Sequence, residues 1–562
     1  MSTDRPGASV AGAAQQDLTV DCQNMQKNTM SITNSFKYLL LLLSVGFTLP
    51  TWADGDTWGA HLDVEAKAGN RRHLGEADLF LPLAQGARVL YFANVRTRVD
   101  DQGSREGNFG LGVRHMLENG WNIGAYGYFD RRRSSATNFY YNQATVGLEA
   151  LGRDFDLRAN AYVPVGTRGH KLGSTSMAAV AGSTVQITTL DYEERSLQGF
   201  DVEAGWRLPI FDSEAGRQLR VYFGGYRFSD AGIKVEGPRA RVELAFDDLP
   251  WFGRGSALFL GAEAQHDSAR GDQQFLSMRL RIPLGKVAQS RSTLSAQARR
   301  MTAPIVRDVD VVTQSHVASR QVETATTTAN GQAFTLVTSD AAPTGAALGA
   351  AVSAAGNDST VLLSGVFNTG NTLVSTQIGQ TLTGTLSVRT ASGHTATVNT
   401  GAAINGVNAT STIQLNAGGK LSGLSISNAY SGGGGRAVLV ADGSTGVHIT
   451  GNVISVTQSG ANAATGITIG LNTTATISGN TISATGSGGA TNMMAIASTN
   501  ASTVTVSGNS LSASGGTANY LVWSGANTTI TADSTGNIRG SGTCNGTSLS
   551  GSVVFTDATH CP

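Results

Sequence analysis

Between residues 58 and 285 the chain alternates apolar and polar side chains, segment after segment. In 217–228, Leu219, Val221 and Phe223 alternate with Arg220, Tyr222 and Gly224. In 238–246, Ala240, Val242, Leu244 and Phe246 alternate with Arg239, Arg241, Glu243 and Ala245. Phe200, Val202, Ala204, Trp206 and Leu208 oppose Asp201, Glu203 and Arg207. Leu276, Met278, Leu280, Ile282 and Leu284 oppose Ser277, Arg279 and Arg281. In 154–163, Phe155, Leu157, Ala159 and Val163 oppose Asp156, Arg158, Asn160 and Tyr162. A period of two is that of a strand with one face apolar and one polar. Strands are predicted near 58–68, 75–83, 88–98, 107–117, 121–131, 138–150, 154–165, 196–208, 217–229, 234–247, 256–268 and 273–285.

A soluble sandwich alternates in the same way. Two features favour a closed membrane barrel. The segments are about 9 to 13 residues long, enough to cross hydrocarbon at a tilt, and their number is even. Aromatic residues stand near segment ends (Trp58, Tyr91, Trp121, Phe129, Tyr162, Trp206, Trp251), as in an interfacial belt. Closure satisfies every backbone polar group where no water can. With the first strand rising from the periplasm, the longest loop, 166–195, lies outside. The short links 84–87, 118–120 and 152–153 lie inside, as in outer-membrane proteins, whereas those at Asp212 and Pro250 are longer than that pattern expects.

No run of 18 or more apolar residues is present, so no helix is expected to span a membrane. A shorter run, Leu39 to Leu49, follows Lys37 and ends at Pro50-Thr51-Trp52-Ala53. This is the pattern of a secretory signal with cleavage after Ala53. Residues 1–29 lie unusually far upstream; either Met25 or Met30 is the true start, or the export signal is extended. Removing 1–53 removes Cys22 and leaves Cys544 and Cys561. In an exported chain these read as one disulfide, worth roughly 3 kcal/mol in the chain-entropy model, rather than two free thiols. Net charge is zero, which gives no basis for nucleic-acid binding. Glycine is abundant at 70 residues and proline scarce at 11, which suits turn-dense β structure.

Residues 331–562 have a different character, with nine charged side chains and no glutamate. Three segments repeat one pattern: 447–456, 475–484 and 504–513, each two short β-branched strands broken by Gly-Asn. Asn452, Asn480 and Asn509 are 28 and 29 residues apart, and Leu424 to Asn428 resembles an earlier copy. That period predicts a right-handed parallel β-helix, with Val and Ile stacked inside, Ser, Thr and Asn outside, and asparagines able to form amide ladders. The Cys544–Cys561 loop is expected to cap its distal edge.

An even strand count leaves the chain in the periplasm at Lys286, so the second half must stay there or return through the lumen. Residues 287–300 are polar with good helix formers, and 301–312 are extended in character because Pro304 disfavours helix. Such a segment either lines a charged pore or is an ordinary surface linker. In the pore, Arg299, Arg300 and Arg307 are expected to pair with carboxylates such as Glu65, Asp201, Glu203, Glu243 or Glu263. Asp308 and Asp310 have calcium-like spacing but lack the glycine and further oxygen ligands of a calcium loop.

Glu106-Gly-Asn-Phe-Gly-Leu-Gly-Val-Arg114, Gly124-Ala-Tyr-Gly-Tyr-Phe-Asp130, Asn160-Ala-Tyr-Val-Pro164, Gly199-Phe-Asp-Val-Glu-Ala-Gly205 and the run from Arg300-Met301 through Pro304 to Asp310 resemble the barrel of the intimin/invasin family of inverse autotransporters. The resemblance covers roughly 58–315. It implies a twelve-stranded outer-membrane barrel, a linker in its pore and a C-terminal passenger on the cell surface. It also implies Sec export, the barrel-assembly machinery and outer-membrane lipid as partners. The sequence departs from the best-known members. Only a few residues separate Ala53 from the first strand, where they carry a peptidoglycan-binding module. Nor does the passenger resemble their immunoglobulin-like domains and lectin tip, so host-receptor binding does not carry over.

The expected organisation is all-β: signal 1–53, transmembrane antiparallel barrel 54–286, pore-traversing linker 287–330 with Arg299, Arg300, Arg307, Asp308 and Asp310, and β-helix passenger 331–562. The function expected is surface display of an adhesin, with a glycan, a host or neighbouring cell, or the passenger itself as ligand. The alternatives are a β-helix polysaccharide-processing enzyme and a porin-like channel with an accessory domain. An enzyme would need clustered carboxylates or a partnered serine. Gly443 to Ala532 contains no charged side chain, and His394, His448 and His560 stand apart in sequence. No catalytic residue, metal site or cofactor is therefore expected.

Overall fold

The computed structural model describes residues 57–561, apart from 213–214, 250, 253, 285–290, 292–293 and 309. The signal expected at 1–53 lies outside the described residues. Fourteen strands are described up to Pro283: β1 (His61–Gly69), β2 (His73–Gln85), β3 (Val89–Asp100), β4 (Arg105–Met116), β5 (Asn122–Arg133), β6 (Tyr140–Leu151), β7 (Phe155–Val165), β8 (Gly169–Ala181), β9 (Thr184–Ser196), β10 (Gln198–Arg207), β11 (Arg217–Asp230), β12 (Ile233–Asp247), β13 (Ala257–Asp267) and β14 (Gly271–Pro283). All except β8 and β9 form one closed antiparallel barrel. It closes where β1 pairs with β14, from His61 opposite Pro283 to Gly69 opposite Phe275.

The alternation sorts the wall by solvent. Leu111, Val146, Leu148, Phe223 and Leu276 face outward and are exposed, as a lipid-facing surface requires. Arg114, Asp130, Asp156, Asp201 and Arg281 face inward and are almost fully buried. Two members of the expected aromatic belt are corrected. Trp58 and Tyr162 are buried in the lumen, each with its polar atom hydrogen-bonded there, whereas Tyr91, Phe129, Trp206 and Trp251 are exposed. Tyr162 shares the parity of Asp156 and Asn160, and parity rather than nearness to a strand end decides the face.

The long outer connection is also corrected. It is a hairpin, β8–β9, standing between β7 and β10, which pair directly with each other in the wall. After β14 a short helix, α1 (Ala296–Arg300), leads into an extended stretch and then β15 (Thr313–Thr328). β15 pairs antiparallel with β9 on one edge and with Thr385–Thr390 on the other, so a five-stranded sheet joins the two halves of the chain.

Beyond it lies a parallel β-solenoid of three strands per coil, for example Val447–Thr450, Val453–Gln458 and Ala464–Ile469. Successive coils stack in register: Ile449 pairs with Ile477, Ile454 with Ile482 and Ile467 with Ile496, all fully buried. The repeated asparagines lie inside, not outside, where they accept and donate within the turn. Asn452 donates to Asn480 at 3.0 Å, Asn480 to Asn509 at 2.9 Å, and Asn509 to Asn537 at 3.2 Å. The preceding Gly451, Gly479 and Gly508 have φ of +65°, +64° and +63°, which a side chain would strain. The earlier copy at 424–428 matches the second strand of the repeat, Ser425 pairing with Val453.

A second helix, α2 (Gly345–Ala355), begins at an N-cap, Thr344, that accepts from the Ala347 amide, and buries Leu348 and Val352 against the first coil. At the far end Cys544 and Cys561 are disulfide-bonded, with Cα atoms 5.1 Å apart, and Val553 and Phe555 join the core there.

Candidate functional site: the occupied barrel lumen

The linker runs up the inside of the barrel. Asn122 donates to the Gln297 carbonyl at 2.8 Å, Asp130 meets Arg307 at 2.8 Å and Arg132 donates to the Val311 carbonyl at 2.7 Å. These wall residues rise in order along β5, so the linker travels parallel to it.

An extended chain inside a closed barrel has no strand edge to pair with, so its backbone groups need side-chain partners. The wall supplies them. Arg114 and Arg281 donate to the Met301 and Thr302 carbonyls, both at 2.8 Å. Asn160 donates to Val306 at 3.1 Å. The Asp308 amide donates to the Tyr162 hydroxyl at 2.7 Å, and the Val311 amide to Glu106 at 3.0 Å. Two apolar collars add grip. Met301 and Ile305 pack with Trp58, Phe80, Leu90, Phe92, Tyr126 and Tyr128, and Val312 packs with Tyr162, Leu197, Tyr226, Phe228 and Val235. Sequence reasoning missed Met301, Ile305 and Val312; large apolar side chains in a linker otherwise rich in polar groups were the available signal.

The linker's charges meet the wall, but at other partners than expected. Arg300 pairs with Asp156, Arg307 with Asp130 at 2.8 and 3.0 Å, and Arg299 lies 3.8 Å from Asp247 while donating to the Ala215 carbonyl. The five expected carboxylates are engaged by the wall's own groups. Glu65 pairs with Arg279, Glu203 with Arg158 and Arg241, Glu243 with Arg241, Glu263 with Lys67, and Asp201 accepts from Asn160 and Tyr162. Asp310 pairs with Arg72 and Arg98, so its charge is met by arginine rather than awaiting a cation. Asp308 is buried in the field of Arg239 and Arg270.

The Gly-rich motifs have a steric cause. A Cβ at Gly110 would come within 2.3 Å of the Tyr128 ring, and one at Gly147 within 2.1 Å of Tyr126. The two rings fill the space that side chains there would take, and they meet edge to face with centroids 5.7 Å apart.

The profile of the "Inverse autotransporter, beta-domain" matches residues 56–303. Residues 56–303 are an inverse autotransporter β-domain. The inverse autotransporter domain anchors the chain in the bacterial outer membrane and displays the C-terminal passenger on the cell surface, in keeping with the intimin/invasin resemblance. No curated protein matches the chain. Among solved structures, the translocator domain of autotransporter NalP from Neisseria meningitidis is 11% identical, covering 48% of this chain and 100% of that one at a TM-score of 0.19. The β domain of the Bordetella autotransporter BrkA is 12% identical over 41% and 100%, with a TM-score of 0.22. Outer membrane phospholipase A from Escherichia coli is 10% identical over 42% and 94%, with a TM-score of 0.24. At these scores the likenesses add nothing to the fold, which rests on the closed strand order.

In the passenger, His394 is not isolated. Its Nδ1 lies 2.6 Å from the Glu323 carboxylate on β15 and 3.2 Å from the Ser392 hydroxyl, which itself donates to Glu323 at 2.6 Å. Serine and glutamate thus share one ring nitrogen. A relay needs the two on opposite nitrogens, so this arrangement does not activate the serine. On the solenoid's third face Leu521 and Val522 both turn into the core, which leaves Tyr520 and Trp523 on either side of them half-buried and facing outward. Trp523 is the passenger's one tryptophan.

Proposed function

We propose that this inverse autotransporter displays an adhesin, delivered by threading 287–330 through its barrel, with the lateral faces of the solenoid as the contact surface. Arg299, Arg300, Arg307, Asp308 and Asp310 hold the threaded linker in place. The observation that supports this reading is the path that the described residues take from Leu294 through the lumen to β15 and the first coil. A porin-like role needs a free lumen, and the linker occupies it. Binding rather than turnover is supported by the charge-free surface from Gly443 to Ala532. The outward rings of Tyr520 and Trp523 supply the aromatic anchors that recognition surfaces favour.

The test uses cells displaying the full chain and cells displaying the barrel ending after Thr328. Retention is measured on immobilised glycans and matrix proteins, together with settling of the cells on one another. Display of the full chain should raise at least one of the three, and Trp523→Ala should lower that gain. No gain in any of them, with the passenger accessible on intact cells, would refute the adhesin reading.

A further inference from the structure

The hairpin β8–β9 projects from the barrel wall and, at about 3.4 Å per residue, reaches roughly 40 Å beyond it. Its role is written in its pairings. β9 pairs with β15 from Thr313 opposite Ser196 to Thr324 opposite Gln186. Pairing starts where the linker leaves the lumen, since the Leu197 amide donates to the Val312 carbonyl at 2.9 Å. A hydrogen-bonded knot sets this starting register. The Glu194 carboxylate accepts from Ser134, Thr137 and Thr313, each at 2.7 Å, and its carbonyl accepts from Tyr141 at 2.9 Å. These bonds hold Thr313, the first residue out of the pore, in that register.

The same sheet then collects the passenger. Thr385–Thr390 pairs with the free edge of β15, and Thr395–Asn399 lies against β8, so the five strands curl round on themselves. Their shared core draws on separate parts of the chain: Val185 and Ile187 from the hairpin, Ala325 from β15, Leu362 from the solenoid, and Val388 and Val398. Leu362 points away from the solenoid core, which holds its neighbours Val361 and Leu363, yet it is fully buried because the joint covers it.

A parallel solenoid grows by laying each coil on the edge of the one before. Its first coil has no predecessor. An unpaired hairpin edge, in turn, readily accepts a strand. We propose that the extracellular hairpin 169–196 is a folding template. It captures residues 313–324 by strand addition as they emerge, and the joint completed around Val185 and Ile187 seats the first coil. The partner of this surface is a segment of the same chain, and the apolar core that forms there opposes its slipping back into the pore.

The proposal rests on the threading reading, so threading is scored separately, by labelling Val453→Cys in untreated cells with a membrane-impermeant maleimide. The ordering test places cysteines at Thr189 and Gln321, which face each other in register. In pulse-chase labelling under mild oxidant, the 189–321 cross-link should form before the passenger becomes protease-resistant. A resistant passenger that accumulates before the cross-link, or without it, overturns the proposal. A second variant, Val185→Asp with Ile187→Asp, leaves every barrel strand unchanged. It should reach the surface with the label on Val453→Cys intact, but gain resistance several-fold more slowly. An unchanged rate overturns the proposal as well.

Discussion

Arg307 of the linker and Asp130 of β5 meet inside the barrel at 2.8 and 3.0 Å, and both side chains are almost wholly buried. Asp130 also accepts from Asn108 at 2.6 Å and Thr145 at 2.5 Å, so the wall holds the carboxylate on its own account as well. Breaking such a pair from one side leaves a charge stranded in a poorly solvated lumen, at a cost of about 3–5 kcal/mol. Asp130→Ala should therefore loosen the linker, making 300–312 accessible to protease in the purified protein. The double variant Asp130→Leu with Arg307→Met, which removes both charges, should recover much of the protection. Equal protection in wild type and Asp130→Ala would show that the pair does not hold the linker.

The linker also blocks the pore. Deleting 296–312 removes the backbone that Arg114, Arg281 and Asn160 hold and the side chains in both collars. Planar-bilayer recordings should show small, flickering currents for the whole protein and a stable, larger conductance for the deletion. Equal conductance in the two would mean that the lumen is open in the native protein.

In the solenoid, each ladder asparagine satisfies backbone as well as side-chain groups. Asn480 donates to the Ile449 carbonyl at 2.8 Å and accepts from the Asn452 amide at 2.9 Å. Asn480→Ala leaves these groups buried and unpaired, at about 1–3 kcal/mol each. The temperature at which the displayed passenger loses protease resistance should fall clearly. The outward Thr476→Ala should change stability by no more than about 0.5 kcal/mol.

The joint should weaken in acid. The carboxyl of Glu323 is held below the usual carboxylate range by the hydroxyl of Ser392 and then by His394, and that of Asp191 by Ser174 and then Ser319. A lowered folded value means that the stabilisation is fully present above the unfolded value, about 4 for these groups, and is lost as pH falls through the folded one. Hydrogen exchange in β15 and 385–399 should therefore be flat from neutral pH to about 5, after correction for intrinsic rates, and rise below about 4. Glu323→Gln with Asp191→Asn should remove that step.

How legible each part was depended on where its partner lay. The twelve wall strands were legible because lipid and lumen impose opposite demands on alternate residues, as at Phe200 and Asp201. The asparagine ladder was legible because a stacked coil repeats its own neighbour. The β8–β9 hairpin was not, because Gly173, Ser174 and Thr175 of β8 face solvent, and β9 takes its second partner from β15, more than a hundred residues away. The charge type of the linker's partners followed from composition. Their identity did not, because it depends on which wall strands the linker touches, and Arg300 lies by Asp156 rather than Glu203. Glu323 escaped as the partner of His394 because it belongs to β15, outside the repeat.

Display requires that the chain return through its own barrel and leave the passenger outside. Two variants with one added cysteine each test this, Cys544 and Cys561 being bonded to each other. Val453→Cys sits on an exposed solenoid position and Asn119→Cys on an exposed periplasmic turn. With a membrane-impermeant maleimide on intact cells, Val453→Cys should label and Asn119→Cys should label only after the outer membrane is opened. A Val453→Cys that also needs the membrane opened would mean that the passenger stays in the periplasm.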